Sequence, residues 1–185
     1  MKNSKTLILV ECAIMLGFAA VLCNAVLWRQ PMGGSVTPMS MLPIVLISIK
    51  YGVKIGLPVA FLFSLIEFAS SRFVMFGWGM TPAAVIGSVM LDYILAFTLI
   101  GFAGMLRTKG FVGWISGISL VMALRFICHV ISGIIIFGQW APEGQNVAVY
   151  SIIYNGAYML PELGFTVVGA AVLLKTHLRI FFVPV

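Results

Sequence analysis

The chain has 185 residues, of which 62% are hydrophobic and only 9% charged, with a net charge of +6. A mean hydropathy of +1.14 leaves no reading as a water-soluble protein. Apolar runs of roughly 20 residues each read as membrane-spanning helices. They fill the chain, so no segment is left for a nucleotide-binding or soluble catalytic domain, and nucleic acid is excluded as a partner by where the charge sits.

The expected fold is all-α: one integral membrane domain over 1–185 with six transmembrane helices. Helix 1 is expected over 6–28, retained rather than cleaved, because its apolar run lacks a short signal-type core and cleavage site. A Gly/Pro/Ser/Thr-rich connection follows from Arg29 to Pro38. Helix 2, over 40–50, is short and interrupted by Pro43, and helix 3 covers 52–73. The loop Gly77-Trp-Gly-Met-Thr-Pro82 leads to helix 4 over 83–106, then helix 5 over 111–138 and helix 6 over 148–175.

The basic residues orient this bundle. With the N-terminus inside, Lys2, Lys5, Lys50, Lys54, Arg107, Lys109, Lys175 and Arg179 fall on inner segments, and only Arg29 and Arg72 on outer ones. That asymmetry puts both termini in the cytoplasm. The longer connections, 29–39, 74–82 and 139–149, then lie outside, as does a binding site built from them.

Three polar residues interrupt the apolar runs: Asp92 in helix 4, and Arg125 and His129 in helix 5. An ionised group at bilayer depth costs about 2.5–3.5 kcal/mol on insertion scales, so it marks a built site. Arg125 and His129, four apart, share a helix face. Asp92 either pairs with Arg125 or faces a cationic ligand. Tyr154, Asn155 and Tyr158 add hydrogen-bonding and aromatic groups at the start of helix 6, and Trp28, Trp78, Trp140 and Tyr150 fall at predicted interfaces. Aromatic walls with one carboxylate suit an aromatic cation. Glu67 either lines the site or reaches the interface; Glu11 belongs near the inner interface; Glu162 follows Pro161 in mid-helix. Cys12, Cys23 and Cys128 are dispersed without ligand spacing, and His177 lies at the cytoplasmic end, so neither disulfide nor metal is expected. Ala13, Gly17 and Ala20 form a small-residue face on helix 1, suited to close helix approach.

Several stretches together resemble a known family. They are Gly33-Gly-Ser-Val-Thr-Pro-Met-Ser-Met-Leu-Pro43, Tyr51-Gly-Val-Lys-Ile-Gly56, Leu91-Asp-Tyr-Ile-Leu-Ala-Phe97, His129-Val-Ile-Ser-Gly133, Phe137-Gly-Gln-Trp-Ala-Pro-Glu-Gly144 and Tyr150-Ser-Ile-Ile-Tyr-Asn-Gly-Ala-Tyr-Met159. The chain resembles thiamine-specific S-components, the substrate-binding membrane subunits of energy-coupling-factor (ECF) vitamin transporters.

The resemblance implies a non-enzymatic protein of the cell membrane that binds thiamine with high affinity in an outward-facing pocket, without a cofactor of its own. It implies binding residues at Asp92, Tyr93, His129, Phe137, Trp140, Tyr150, Asn155, Phe63 and Gly34, with Asp92 facing the thiazolium. Phe63 and Gly34 fall at positions where some members carry Trp, as does Phe137, and some carry Glu at Asp92. Ala13, Gly17 and Ala20 are implied to dock a transmembrane coupling subunit driven by two ATPase subunits. The alternatives are an S-component for another small cationic heteroaromatic vitamin and a stand-alone ion-coupled carrier. A carrier would call for an inverted repeat or a polar path through both leaflets, and the sequence has neither. An intramembrane enzyme using Asp92 and His129 lacks an activated nucleophile.

Overall fold

The computed structural model describes residues 5–31, 33–71, 77–176, 182 and 184. Of the residues weighed above, Lys2, Arg72, His177 and Arg179 lie outside them. Helix α1 is Lys5–Leu22, and a small hairpin of β1 (Trp28–Arg29) and β2 (Ser35–Val36) follows. Next come α2 (Leu42–Tyr51) and α3 (Val53–Ser70). Helix α4 runs over 82–109, α5 is Gly110–Ile135 and α6 is Val147–Lys175. Among the described residues, four helical stretches are long and apolar enough to cross a membrane: Lys5–Leu22, Val53–Ser70, Pro82–Ile135 and Val147–Lys175.

Helix α1 ends at Leu22 rather than continuing to 28. The side chains of Cys23 and Asn24 both donate to Ala20 O, at 3.2 and 2.9 Å, and turn the chain out of the helix. The loop beyond is a hairpin, pairing Trp28 with Val36 and Arg29 with Ser35. Gly33, at φ 107°, makes the reversal that a side chain would strain.

Pro43 does not interrupt α2 but starts it. At the first turn its missing N–H costs nothing. Every residue from Leu42 to Ile49 is buried, so α2 is the core of the bundle. At about 1.5 Å per residue, a ten-residue helix is too short to cross the bilayer by itself. Arg107 Nη1 caps its C-terminal end through Lys50 O at 2.8 Å. Helix α1 stays peripheral, with Ala19 its one buried residue, and is tied in where Glu11 accepts from Lys50 Nζ and Tyr51 Oη, each at 2.5 Å.

Helix α4 is not a uniform α-helix. It passes from α geometry at Pro82–Ser88 to a π segment at Val89–Leu95, and after Ala96–Thr98 to a 3₁₀ segment at Leu99–Lys109. It then folds back on α5 as a hairpin. A Cβ on Gly117 would sit 2.2 Å from Ala103 O, and one on Gly113 would sit 2.3 Å from Leu106 O, so both glycines are there for close packing.

Candidate binding site

A cavity of about 290 Å³ opens at the end of the bundle where α1, α3 and α5 finish and α4 and α6 begin. That volume is at the small end of ligand sites, which run to about 1,000 Å³. Lys50, Lys54, Arg107, Lys109 and Lys175 occupy the opposite ends of their helices. Asp92, Tyr93, His129, Phe137, Trp140, Tyr150, Asn155 and Gly34 all line it. Phe63 does not. It is fully buried behind the lining residue Phe97, edge against ring at 5.7 Å.

Asp92 belongs to the π segment of α4, a rare geometry that recurs at functional sites. Its Oδ2 accepts from Ser88 Oγ at 2.9 Å and Ser132 Oγ at 2.6 Å, while Oδ1 lies 3.0 Å from His129 Nδ1. A carboxylate only accepts, so this contact fixes the proton on Nδ1. His129 Nε2 has no hydrogen-bond partner among the described residues. A buried polar atom without a partner is costly, and a bound molecule is what would satisfy it. Ser88 and Ser132 were not picked out by sequence reading. Their signal is the spacing alone, i−4 from Asp92 and i+3 from His129, which puts each on the face of the residue it supports.

Arg125 does not pair with Asp92. Its Nη1 donates to Glu162 Oε2 at 2.7 Å, in a bridge whose side chains are only 5% and 3% exposed. Its guanidinium also lies over the Phe97 ring, 4.5 Å from the centroid. The other oxygen of Glu162 accepts from Thr37 N at 3.2 Å and Thr37 Oγ1 at 2.7 Å. The α1–α2 loop is thus fastened to α6, and Gln30 Nε2 adds a second tie to Tyr154 O at 3.0 Å. Gly34 makes this possible, because a Cβ there would sit 2.5 Å from the Tyr158 ring.

Two aromatic groups wall the cavity. Trp78, Phe137 and Trp140 stand within 5.7–6.4 Å of one another. Tyr150, Tyr154 and Tyr158 climb α6 at 5.7 and 6.5 Å, and Tyr158 meets the His129 ring at 6.2 Å. Asn155 is buried among them. Its amide donates to Ser151 O at 2.9 Å, and its Oδ1 accepts from Tyr158 Oη at 2.8 Å. Such a chamber can hold a flat cationic heterocycle by π faces, carboxylates and a few directed hydrogen bonds. Among the described residues no cluster of His, Cys, Asp and Glu could hold a metal ion.

Outside the cavity, Ala13 and Gly17 are exposed on α1, and a Cβ at Gly17 would meet nothing within 4 Å. Ala20 is half-buried on the same helix.

Residues 9–182 match the profile of a family described as thiamine transporter protein (Thia_YuaJ). The chain is 35% identical over 195 aligned positions to the thiamine transporter ThiT of Bacillus subtilis strain 168, covering 97% of each chain. It is 31% identical to the ThiT of a Lacticaseibacillus paracasei strain over 106 positions, about half of each protein. A solved structure of ThiT from Listeria monocytogenes superimposes with a TM-score of 0.78 over 97% of this chain and 99% of that one, at 24% identity, which establishes a shared fold.

Proposed function

The chain belongs to the thiamine transporter protein (Thia_YuaJ) family, and on that premise we propose that it captures thiamine as the membrane subunit of an ECF-type transporter. The observation that carries this reading is the Asp92–His129 pair. It sits in a small cavity walled by tryptophan and tyrosine, with His129 Nε2 free of any described partner. Thiamine is a flat aminopyrimidine joined to a permanently cationic ring, and it needs those three things: aromatic faces, negative charge and an edge-reading polar pair. High affinity follows if the α1–α2 loop closes over the ligand and excludes water.

In this reading the chain crosses the membrane six times, with both termini in the cytoplasm and the cavity open to the outside. The separation of the basic helix ends from the cavity end supports it. Uptake then needs energy to release a tightly held ligand inward, since a ligand alone cannot drive its own uphill delivery. No P-loop occurs in the sequence, so partner ATPases supply that energy through a coupling subunit. The exposed face of Ala13, Gly17 and Ala20 on α1 is the proposed docking surface.

Titration of the purified protein with thiamine, followed by tryptophan fluorescence, tests the ligand directly, because Trp78 and Trp140 line the cavity. Saturable quenching by thiamine, with pyridoxine and riboflavin silent, is the expected result. No binding of thiamine by fluorescence and calorimetry would overturn the reading.

A further inference from the structure

The cavity holds more carboxyl groups than the Asp92–His129 pair accounts for. Three carboxylates line it: Glu67, Asp92 and Glu162. The oxygens of Asp92 are engaged by Ser88, Ser132 and His129. Those of Glu162 are engaged by Thr37 and Arg125. Among the described residues no hydrogen bond or ion pair reaches the carboxyl group of Glu67, which enters from the last turn of α3 and is half-buried; only its backbone carbonyl is engaged, by Ser71 N at 3.0 Å.

Among the described residues the charged side chains that act on Glu67 are Arg125 and Glu162, and these two are already bridged to each other at 2.7 Å. Arg29, the other basic lining residue, is exposed on β1. Ionising a carboxyl group at bilayer depth with no protein cation of its own is expensive, and a cationic ligand beside it is what would offset the cost. Apolar replacement at this position would have been cheaper if the side chain only filled space.

We infer that Glu67 is a specificity-determining residue: it supplies the counter-charge for the positive ring of the ligand, while Asp92 chiefly holds His129 in place to read the polar ring edge. The inference rests on the thiamine reading and moves the counter-charge from Asp92, where family resemblance expects it, to α3. Two carboxylates thus divide the labour, one satisfied by protein donors and one left for the ligand.

The test measures dissociation constants of the full-length, detergent-purified protein by calorimetry, with direct titration of thiamine and competition by its neutral aminopyrimidine alcohol fragment. Glu67→Gln removes the charge and keeps the shape. It should weaken thiamine by about tenfold or more, the scale of a lost charge-assisted contact, and shift the fragment by less than about threefold. Glu67→Asp, which restores the charge, should recover part of the loss. An unchanged thiamine affinity in Glu67→Gln would overturn the inference while leaving the thiamine reading intact, and so would equal weakening of both ligands. Failure of the unmutated protein to bind thiamine would sink both.

Discussion

Arg125 and Glu162 form an ion pair, Nη1 to Oε2 at 2.7 Å, within a bundle that buries both side chains almost completely. Glu162 also holds Thr37 of the α1–α2 loop through its other oxygen. One carboxylate therefore neutralises the buried cation and fastens the loop that roofs the cavity.

Removing one member of this pair strands the other. Arg125→Met or Glu162→Gln should each destabilise the fold by about 3–5 kcal/mol, the usual cost of an orphaned buried charge. The double replacement Arg125→Met/Glu162→Met should recover most of that. Thermal melting in detergent checks it, and single variants that melt like the unmutated protein would contradict the pairing.

Gly34 and Tyr158 are mutually dependent. Gly34→Ala puts a methyl 2.5 Å from the Tyr158 ring, so the loop must lift. Thiamine should then dissociate faster, by about tenfold, since changes at an interface act mainly on the off-rate. In a Tyr158→Ala background the same Gly34→Ala change should add little. A double-mutant cycle read by stopped-flow fluorescence measures this coupling, and strict additivity would refute it.

At Asp92 the surroundings supply donors on every side. Asp92→Asn replaces one acceptor oxygen by an amide that must face Ser88, Ser132 or His129. The imidazole loses its fixed orientation, so affinity should fall by about tenfold or more for both thiamine and the neutral fragment, with the fold retained. Calorimetry on both ligands distinguishes this from the selective effect expected at Glu67.

Helix α1 should behave as a separate module. Gly17→Leu adds bulk where the bundle has nothing nearby, so thiamine binding by the purified protein should stay within about twofold, as surface changes usually do. Uptake of labelled thiamine by cells should be lost. Intact uptake, or impaired binding, would remove α1 as the docking face.

The polar residues that line the cavity are conspicuous in the sequence because the rest of the chain is so apolar. Asp92, His129, Tyr150 and Asn155 needed no structure to be singled out. What the sequence left ambiguous was depth. Arg125 and His129 share a face of α5, but they lie about one helical turn apart, about 6 Å along the axis. At the level of His129 the facing residue is Asp92; one turn deeper it is Glu162 from α6. Which carboxylate meets which base depends on the relative register of three helices, and no local pattern encodes it.

The same distinction separates the remaining features. Alternating strands of two residues have no periodicity to detect, so the hairpin that carries Gly34 was invisible. The π segment around Asp92 is a hydrogen-bond register, not a composition. Phe63 is kept from the cavity by Phe97, which stands in front of it, a layering that no sequence pattern carries. Composition and apolar run lengths alone determined that this chain is a membrane helical protein with a polar interior, because burying charge in lipid is too costly to be incidental. Only the tertiary structure decided which charged groups pair, Arg125 with Glu162 and His129 with Asp92. Pairing is a matter of a few ångströms between helices, and those distances are set by packing.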